Sequence, residues 1–451
     1  MVLFYGYDSD LKMAENNFYN NIPMPDDEQL LKCMHCGMCL PVCPTYDLTK
    51  MEKYSPRGRI RLIKAVAEGE LDITPNFVYS LDFCLDCQAC VTACPAGVEY
   101  GLLVEAAHYH IEEWKKERGE VPFIKRIALG WLFRNQSYLR LLGFFMRLYQ
   151  LSGLQWLVQT SGLMKLFSPK MHNLSFMLPP IPKRQAYPEI KAADSAQKRN
   201  KKVGILTGCV QDIFFNKVNH DTIDVLAYNG YDVFTPQAQQ CCGSVHGHNG
   251  DLSTAKQLAR QMIDLFEQGN VDFVVVNSAG CGAFMKEYDQ LLADDQQYAE
   301  RAQRFVSKVK DITEFLVQEG YKDPQRPFPE TVTYHEPCHL AHTQKIKTAP
   351  REIVQSVPGV KYIELPESDW CCGSAGVYNI THYDTSMELL ARKIDNIRKT
   401  GAKYVVTGNP GCLIQLFYGK KKFNLDFELL HPVSLLHKGY FGENGKNNKG
   451  G

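Results

Sequence analysis

The chain has 451 residues, 45% of them hydrophobic, enough for roughly two to four domains with ordinary cores. Its 50 basic and 50 acidic side chains cancel, so the overall field offers nucleic acid no attraction, and DNA or RNA is excluded as a general partner. Sixteen cysteines in a chain with no apolar run of spanning length point to metal or redox chemistry rather than to a disulfide framework.

The N-terminal MVLFYGYDSDLK has neither a basic region ahead of an apolar core nor a small-residue cleavage site, so it does not read as a secretory signal and a cytoplasmic location is expected. The first cysteine set follows: Cys33, Cys36, Cys39 and Cys43 before Pro44, then Cys84, Cys87, Cys90 and Cys94 before Pro95. Each run is C-x2-C-x2-C-x3-C-P, the spacing of bacterial two-cluster ferredoxins. Thiolates three residues apart on a tight loop reach three irons of one cube, and the fourth cysteine turns to the other cube. One [4Fe–4S] cluster is therefore assigned Cys33, Cys36, Cys39 and Cys94, and the second Cys84, Cys87, Cys90 and Cys43. Structural zinc, which takes four ligands, leaves the third C-x2-C step and the trailing Cys-Pro unexplained. The 40 residues between Cys43 and Cys84 exceed a minimal ferredoxin, and SPRGRIRLIKAVAEGEL carries Ile60, Ile63 and Ala67 at helical spacing. Residues 1–110 are expected to form a mainly helical two-cluster domain. The turn Arg57-Gly58-Arg59 reads as a solvated helix start or a brace for the clusters rather than a substrate site.

A basic connector is expected over 111–177. Residues 121–188 contain no Asp or Glu but carry Lys125, Arg126, Arg134, Arg140, Arg147, Lys165, Lys170, Lys183 and Arg184, interleaved with Trp131, Phe133, Leu141, Phe144, Phe145, Trp156 and Leu157. This pattern suits peripheral contact with an anionic membrane, at the inner face of the cell membrane. It suits equally a pair of helices packed on the ferredoxin-like domain with arginines toward solvent or a partner subunit. The Pro-rich, then polar stretch 178–202 reads as a linker.

Beyond it the second cysteine set repeats. Cys209, the adjacent pair Cys241-Cys242 and Cys281 are followed by Cys338, Cys371-Cys372 and Cys412, offset by 129, 130 and 131 positions between the copies. Each cysteine region follows a β-branched run (VGILTG, FVVVNSAG, TVTYHEP, YVVTGNPG), and these alternate with helical patterns such as TAKQLARQMIDLFEQG and MELLARKIDNIRKTG. Two pseudo-symmetric α/β lobes with parallel strands are expected, over 203–327 and 328–441. In such sheets the loops at the carboxyl ends of strands gather at the ligand crevice, where these cysteines converge. Neighbouring cysteines form a disulfide only with strain, whereas their diverging side chains can serve one metal centre, and the glycine after each pair permits a tight turn. Each lobe thus offers four metal-binding thiols, with room for one or two further Fe–S clusters in the chain; the alternative is buried free cysteines. His246, His248, His335, His339 and His342 crowd these loops, and each singly reads as a packed, hydrogen-bonded histidine. The tail 442–451 reads as disordered.

No G-x-G-x-x-G follows a strand, and there is no P-loop lysine or nucleophile elbow; Gly243, Gly247 and Gly250 are not spaced as a dinucleotide loop. No flavin or nicotinamide is expected on this chain, and no catalytic residue is assigned.

The order of a ferredoxin module and then two C…CCG…C repeats resembles, over nearly the whole chain, the CCG-repeat superfamily. Its members include the iron–sulfur subunits of bacterial glycolate oxidase and relatives in lactate oxidation, anaerobic glycerol-3-phosphate dehydrogenase and heterodisulfide reductase. The resemblance implies an electron-transfer subunit of an oxidoreductase. An FAD-binding 2-hydroxy-acid oxidase subunit would carry the hydride step, and a quinone or other carrier would accept the electrons. A heterodisulfide-reductase-like thiol–disulfide oxidoreductase is the alternative, but those proteins end each repeat with CxxC, whereas this chain has Cys281-Gly-Ala-Phe284 and Cys412-Leu-Ile-Gln415. A redox or iron sensor would need a DNA-binding or signalling module, and no basic recognition helix stands out.

Overall fold

Ser55 caps the helix Pro56–Ala67 by accepting a hydrogen bond from the Gly58 N–H, and Pro56 sits in the first turn, where a missing N–H costs nothing. The helix buries Arg59, Ile60, Ile63 and Val66. Ile60, Ile63 and Val66 share a core with Phe77 and Leu81 of the helix Pro75–Asp82 and with Leu103 and Val104 of the helix Tyr100–Glu117. Each fully buried large aliphatic side chain contributes about 1.5–3 kcal/mol. The computed structural model describes residues 18, 25, 27–194 and 198–442; the N-terminal stretch read for a targeting signal and, beyond Gly442, the tail expected to be disordered lie outside them. These helices belong to the first of two compact units, the described residues up to Val121 together with His248–Asp251.

The second unit comprises Pro122–Gly247 and the described residues from Leu252 onward. Its strands are short apolar runs that parallel sheets bury on both faces. The first sheet contains β1 (Ile190–Lys191), β2 (Lys202–Leu206), β3 (Asp232–Phe234), β4 (Phe273–Val276) and β5 (Val309–Asp311) in the order β1-β3-β2-β4-β5. Only β1 runs antiparallel to its neighbour. The second sheet contains β6 (Thr331–Tyr334), β7 (Lys361–Tyr362), β8 (Tyr404–Val406) and β9 (Glu428–Leu430), all parallel, in the order β7-β6-β8-β9. With β1 set aside, the two orders are the same. In both lobes the chain reverses direction of travel across the sheet between the first and third strands, β2|β4 and β6|β8. A crevice opens at the carboxyl ends of the strands at such a point. The two lobes share one core, which includes Val203, Val225, Val332, Ile353, Val433 and Leu436.

Within 178–202, read as a linker, Tyr187 is buried in that core and Ile190–Lys191 pairs with β3. The basic stretch also docks on the first lobe. From the helix Gln136–Leu151, Gln136 Nε2 donates to Asp212 Oδ2 at 3.2 Å and Arg140 Nε to the same oxygen at 2.9 Å. Arg184 Nε lies 3.2 Å from that carboxylate, and the Tyr187 hydroxyl donates to it at 2.7 Å. Two of the arginines read as facing solvent or a partner are therefore held by a single buried aspartate.

Candidate metal centres

In the two ferredoxin-type runs the backbone turns left-handed at matching places. His35 and Gly37 (φ 54° and 84°) flank Cys36, and Asp86 and Gln88 (φ 47° and 60°) flank Cys87. Successive turns of this kind gather backbone N–H groups toward one point and form a concave seat for an anion. That geometry fits the sulfides of a cubane. Cys33, Cys36 and Cys39 line one pocket together with Cys94, Pro95 and Cys90. Cys43 sits elsewhere: it caps the helix Pro44–Thr49, and its Sγ lies 3.4 Å from Thr45 Oγ1 and 3.7 Å from the Tyr54 carbonyl. Burial raises the Cys90 thiol well above its ordinary range, and the neighbouring Cys87, Cys84 and Cys43 add to the effect. Burial likewise raises Cys39 and Cys84, with Arg59 opposing the shift at Cys84. Metal binding here must release protons.

Arg57 and Arg59 divide the work of a brace. Arg57 is partly exposed, binds Glu52 at 2.6 Å and donates from Nη1 to the His35 carbonyl at 3.0 Å, steadying the first loop. Arg59 has no exposure at all. Its Nε donates to the Ser80 carbonyl at 2.8 Å and its Nη2 to Thr45 Oγ1 at 3.1 Å, while Nη1 has no hydrogen-bond partner. Burial works against its charge, but Cys84, Tyr100 and Cys43 outweigh it and keep the guanidinium firmly protonated. Tyr100 also donates to Cys84 Sγ at 3.5 Å. The chemistry of this set, buried thiols with an embedded cation, fits an anionic iron–sulfur cluster.

In the first lobe Cys209 caps the helix Val210–Phe214 after β2, Cys241-Cys242 lie in the loop after β3, and Cys281 is in the first turn of the helix Ala279–Met285 after β4. Thiolates gain stability at helix N-termini. Cys241 accepts hydrogen bonds from Cys209 and Cys242 and is held well below the ordinary thiol range. Cys242 is raised well above that range by its bonds with Cys241 and Cys281 and by burial. All four thiols therefore interact. Gly243 and Gly373, after the two cysteine pairs, have φ of 92° and 85°, and each faces the carbonyl of the following helix, Ala255 and Ser386 respectively; a Cβ at Gly373 would lie 2.7 Å from the Ser386 oxygen.

The second lobe repeats the plan with different neighbours. Cys338 follows β6 with its Sγ 3.5 Å from His339 Nδ1, and Cys371-Cys372 follow β7. Cys412 is in the first turn of Pro410–Lys422 after β8, and Asn409 Nδ2 donates to its Sγ at 3.6 Å. Asn409 Oδ1 accepts from the Gly280 N–H at 3.2 Å, so one side chain links the loops that carry Cys281 and Cys412. Cys372 is drawn down by a bond from Cys371, but its bond with Cys412 and its burial outweigh this and raise it well above the ordinary thiol range. Burial pulls Lys393 down to about 8 despite the Cys372 and Cys371 thiols beside it.

Among the histidines, the packed and hydrogen-bonded reading holds for His246, whose Nε2 meets the Leu129 carbonyl at 3.0 Å. His248 Nδ1 lies 2.8 Å from Glu105 Oε1 within the first unit. Burial lowers His342. His335 is buried as well: burial, with Lys393 beside it, holds its imidazole well below the ordinary range, against a hydrogen bond to the Ser368 backbone. Sequence reasoning did not single out Tyr100, Lys393 or Asn409, whose roles depend on contacts between residues far apart in the chain.

Comparison with known proteins agrees with this layout. Residues 29–98 match the family described as 4Fe-4S dicluster domain, 203–286 and 332–417 the cysteine-rich domain CCG, and 120–178 the linker region of the glycolate oxidase iron–sulfur subunit. The chain is 38% identical over 435 residues to the probable glycolate oxidase iron–sulfur subunit of Bacillus subtilis, covering 95% of this chain and 97% of that one. It is 30% identical over 409 residues to the glycolate oxidase iron–sulfur subunit of Escherichia coli K12, covering 90% and 94% respectively. Lactate utilization protein A of Oceanobacillus iheyensis is 34% identical over 237 residues, 52% of this chain and 96% of that one.

Proposed function

We propose, from the premise that the chain belongs to the glycolate oxidase iron–sulfur subunit family, that it relays electrons from a separate FAD-binding 2-hydroxy-acid oxidase subunit, acting on glycolate or lactate, to a quinone-like acceptor. The observation that carries this reading is the pair of left-handed, thiol-bearing loops, closely spaced in one small domain. A [4Fe–4S] cluster, when bound, stores and releases one electron at a time, and two adjacent clusters make a relay. Cys33, Cys36, Cys39 and Cys94 hold one cluster and Cys84, Cys87, Cys90 and Cys43 the other. Arg57 fixes the first loop, and Arg59 and Tyr100 face the second cluster's thiolates.

In the first lobe, Cys209, Cys241, Cys242 and Cys281 serve as the thiolates of a further redox centre. In the second, Cys338, Cys371, Cys372 and Cys412 serve a matching centre in the same way. The absence of a fifth cysteine in either repeat argues against disulfide-reducing chemistry of the heterodisulfide type.

No helix among the described residues is long and apolar enough to cross a membrane. The basic stretch nonetheless exposes Phe123, Ile124, Trp131, Phe144, Phe145, Trp156 and Leu166, which suits peripheral contact with an anionic membrane, where quinones reside.

Anaerobically reconstituted protein should carry at least eight irons, two four-iron clusters from the complete runs. The cluster exchange is read from paired variants: Cys43→Ser should perturb the electron paramagnetic resonance signal of the cluster on Cys84, Cys87 and Cys90, and Cys94→Ser that of the other. Loss of the sequence-local cluster in each case refutes the exchange, and four irons or fewer refute the two-cluster relay.

A further inference from the structure

The two ferredoxin-type loops share a backbone plan, but their surroundings differ. The residue after the first cysteine of each run is Met34 in one and Leu85 in the other, and the residue before the third is Met38 and Ala89. Leu85 is 4% exposed, whereas Met34 is 68% and Met38 59% exposed. Cys36 is itself exposed, while its counterpart Cys87 is half-buried. The second loop is enclosed by its own unit. His248 Nδ1 lies 3.5 Å from Asp86 Oδ2, and Gln88 packs so closely on Gly101 of the helix Tyr100–Glu117 that a Cβ there would collide with its amide. Arg57 steadies the first loop through the His35 carbonyl, yet the methionines of that loop stay in solvent.

A bare apolar patch around a cysteine of this kind marks a contact surface. Its charge separates two kinds of partner. Residues 33–46 contain no Asp, Glu, Lys or Arg, and the two cations at the loop, Lys32 and Arg57, are each paired with a carboxylate, Glu28 at 2.9 Å and Glu52 at 2.6 Å. Anionic lipid is held by clustered basic side chains, which the stretch 121–188 supplies and this loop lacks. The buried centres of protein–protein interfaces are poor in charge and rich in methionine, whose unbranched side chain adapts to the opposing surface. An uncharged face is complementary to a protein surface of equally low charge.

We propose that this loop is the port through which the chain takes up electrons: the FAD-binding subunit docks on Met34, Met38 and the exposed Leu31, with Cys36 as the ligand nearest its flavin. The inference rests on the electron-relay reading and adds an order to it. The cluster on Cys33, Cys36, Cys39 and Cys94 is reduced first, and the cluster on Cys84, Cys87, Cys90 and Cys43, whose loop is enclosed, second. Oxidation of one 2-hydroxy acid leaves two electrons and two protons on the partner's flavin. The electrons cross at Cys36 one at a time, each adding one negative charge to the first cluster before moving to the second and on to the quinone-like acceptor. The protons pass from the flavin to water, and no bond to carbon is made or broken on this chain.

The test uses the full chain, anaerobically reconstituted, and the FAD-binding 2-hydroxy-acid oxidase subunit of the same organism. Met34→Glu with Met38→Glu should keep both clusters and their reduction by dithionite, but weaken binding of that subunit by about tenfold or more in calorimetry. Stopped-flow reduction of the first cluster by the subunit, itself reduced with glycolate or lactate, should slow to match. Met34→Leu with Met38→Leu, which stays apolar, should bind as wild type does, and so should Trp156→Glu with Phe144→Glu. In the wild-type pair, amide hydrogen exchange over 34–38 should slow about fivefold or more on binding while that over 85–89 stays the same, a measurement that needs no variant. Undiminished binding by Met34→Glu with Met38→Glu overturns the port and leaves the relay standing, as does exchange that slows over 85–89 in place of 34–38, or binding lost only in Trp156→Glu with Phe144→Glu. A subunit that fails to bind the wild-type chain overturns the relay and the port together.

Discussion

Arg59 donates to one carbonyl and one hydroxyl, has no carboxylate among its hydrogen-bond partners, and keeps Nη1 unmatched beside Cys43 and Cys84. Such a charge is strongly unfavourable unless an anion faces it. Adding an electron to a cluster adds negative charge, so the guanidinium favours the reduced form. Arg59→Met should therefore make the cluster on Cys84, Cys87 and Cys90 about tenfold harder to reduce, or about 60 mV lower for one electron. The other cluster should barely move, and Arg59→Lys should recover part of the shift. A redox titration followed by electron paramagnetic resonance decides the matter; equal shifts in both clusters would indicate a merely structural role. A second residue-scale prediction concerns Gly373 (φ 85°), where a Cβ would meet the Ser386 carbonyl, against Gly401 (φ 60°), where it would meet nothing within 4 Å. Left-handed backbone costs an alanine about 1–2 kcal/mol at either site. Gly373→Ala should cost measurably more than Gly401→Ala in denaturant unfolding, and equal losses would contradict the close approach.

The helix Gln136–Leu151 owes its position to Asp212, at the start of the first lobe's cysteine-capped helix. Burial pushes the Asp212 carboxyl up, but Tyr187, Arg140 and Arg184 outweigh it and hold it below its ordinary value. The unfolded chain then binds the proton more readily than the folded one. The stabilisation is fully present above the ordinary carboxylate pKa of about 4 and is lost as pH falls through the lower folded value. Asp212→Asn should be less stable than wild type at pH 7, and the gap should shrink below about pH 4. Asp212→Ala, which strands two arginines, should cost about 3–5 kcal/mol and open the segment 122–178 to protease. A pH-independent gap between wild type and Asp212→Asn would remove Asp212 as the anchor.

For the whole molecule, the exposed aromatic and aliphatic side chains near Arg126, Lys165 and Lys170 predict co-sedimentation with vesicles containing about a third anionic lipid. Binding should weaken with salt and with neutral lipid, and Trp156→Glu together with Phe144→Glu should abolish it. Binding insensitive to charge, or none, leaves this face to a partner subunit. The ferredoxin-type cysteines and the doubled repeat were legible in the sequence because their chemistry resides in spacing: C-x2-C-x2-C-x3-C-P and offsets near 130 survive without any knowledge of the fold. Strands such as FVVV and TVTY were legible because parallel sheets bury both faces and leave unbroken apolar runs. By itself the sequence determined the motifs, their order and the two-lobed α/β plan. Only the tertiary structure decided that Arg59 is sealed beside Cys84, that Arg140 and Arg184 share Asp212, and that His335 meets Cys372 and Cys412. Those pairs are separated by tens of residues, and what joins them is the packing of helices and the gathering of strand ends at a crevice, which no local period records.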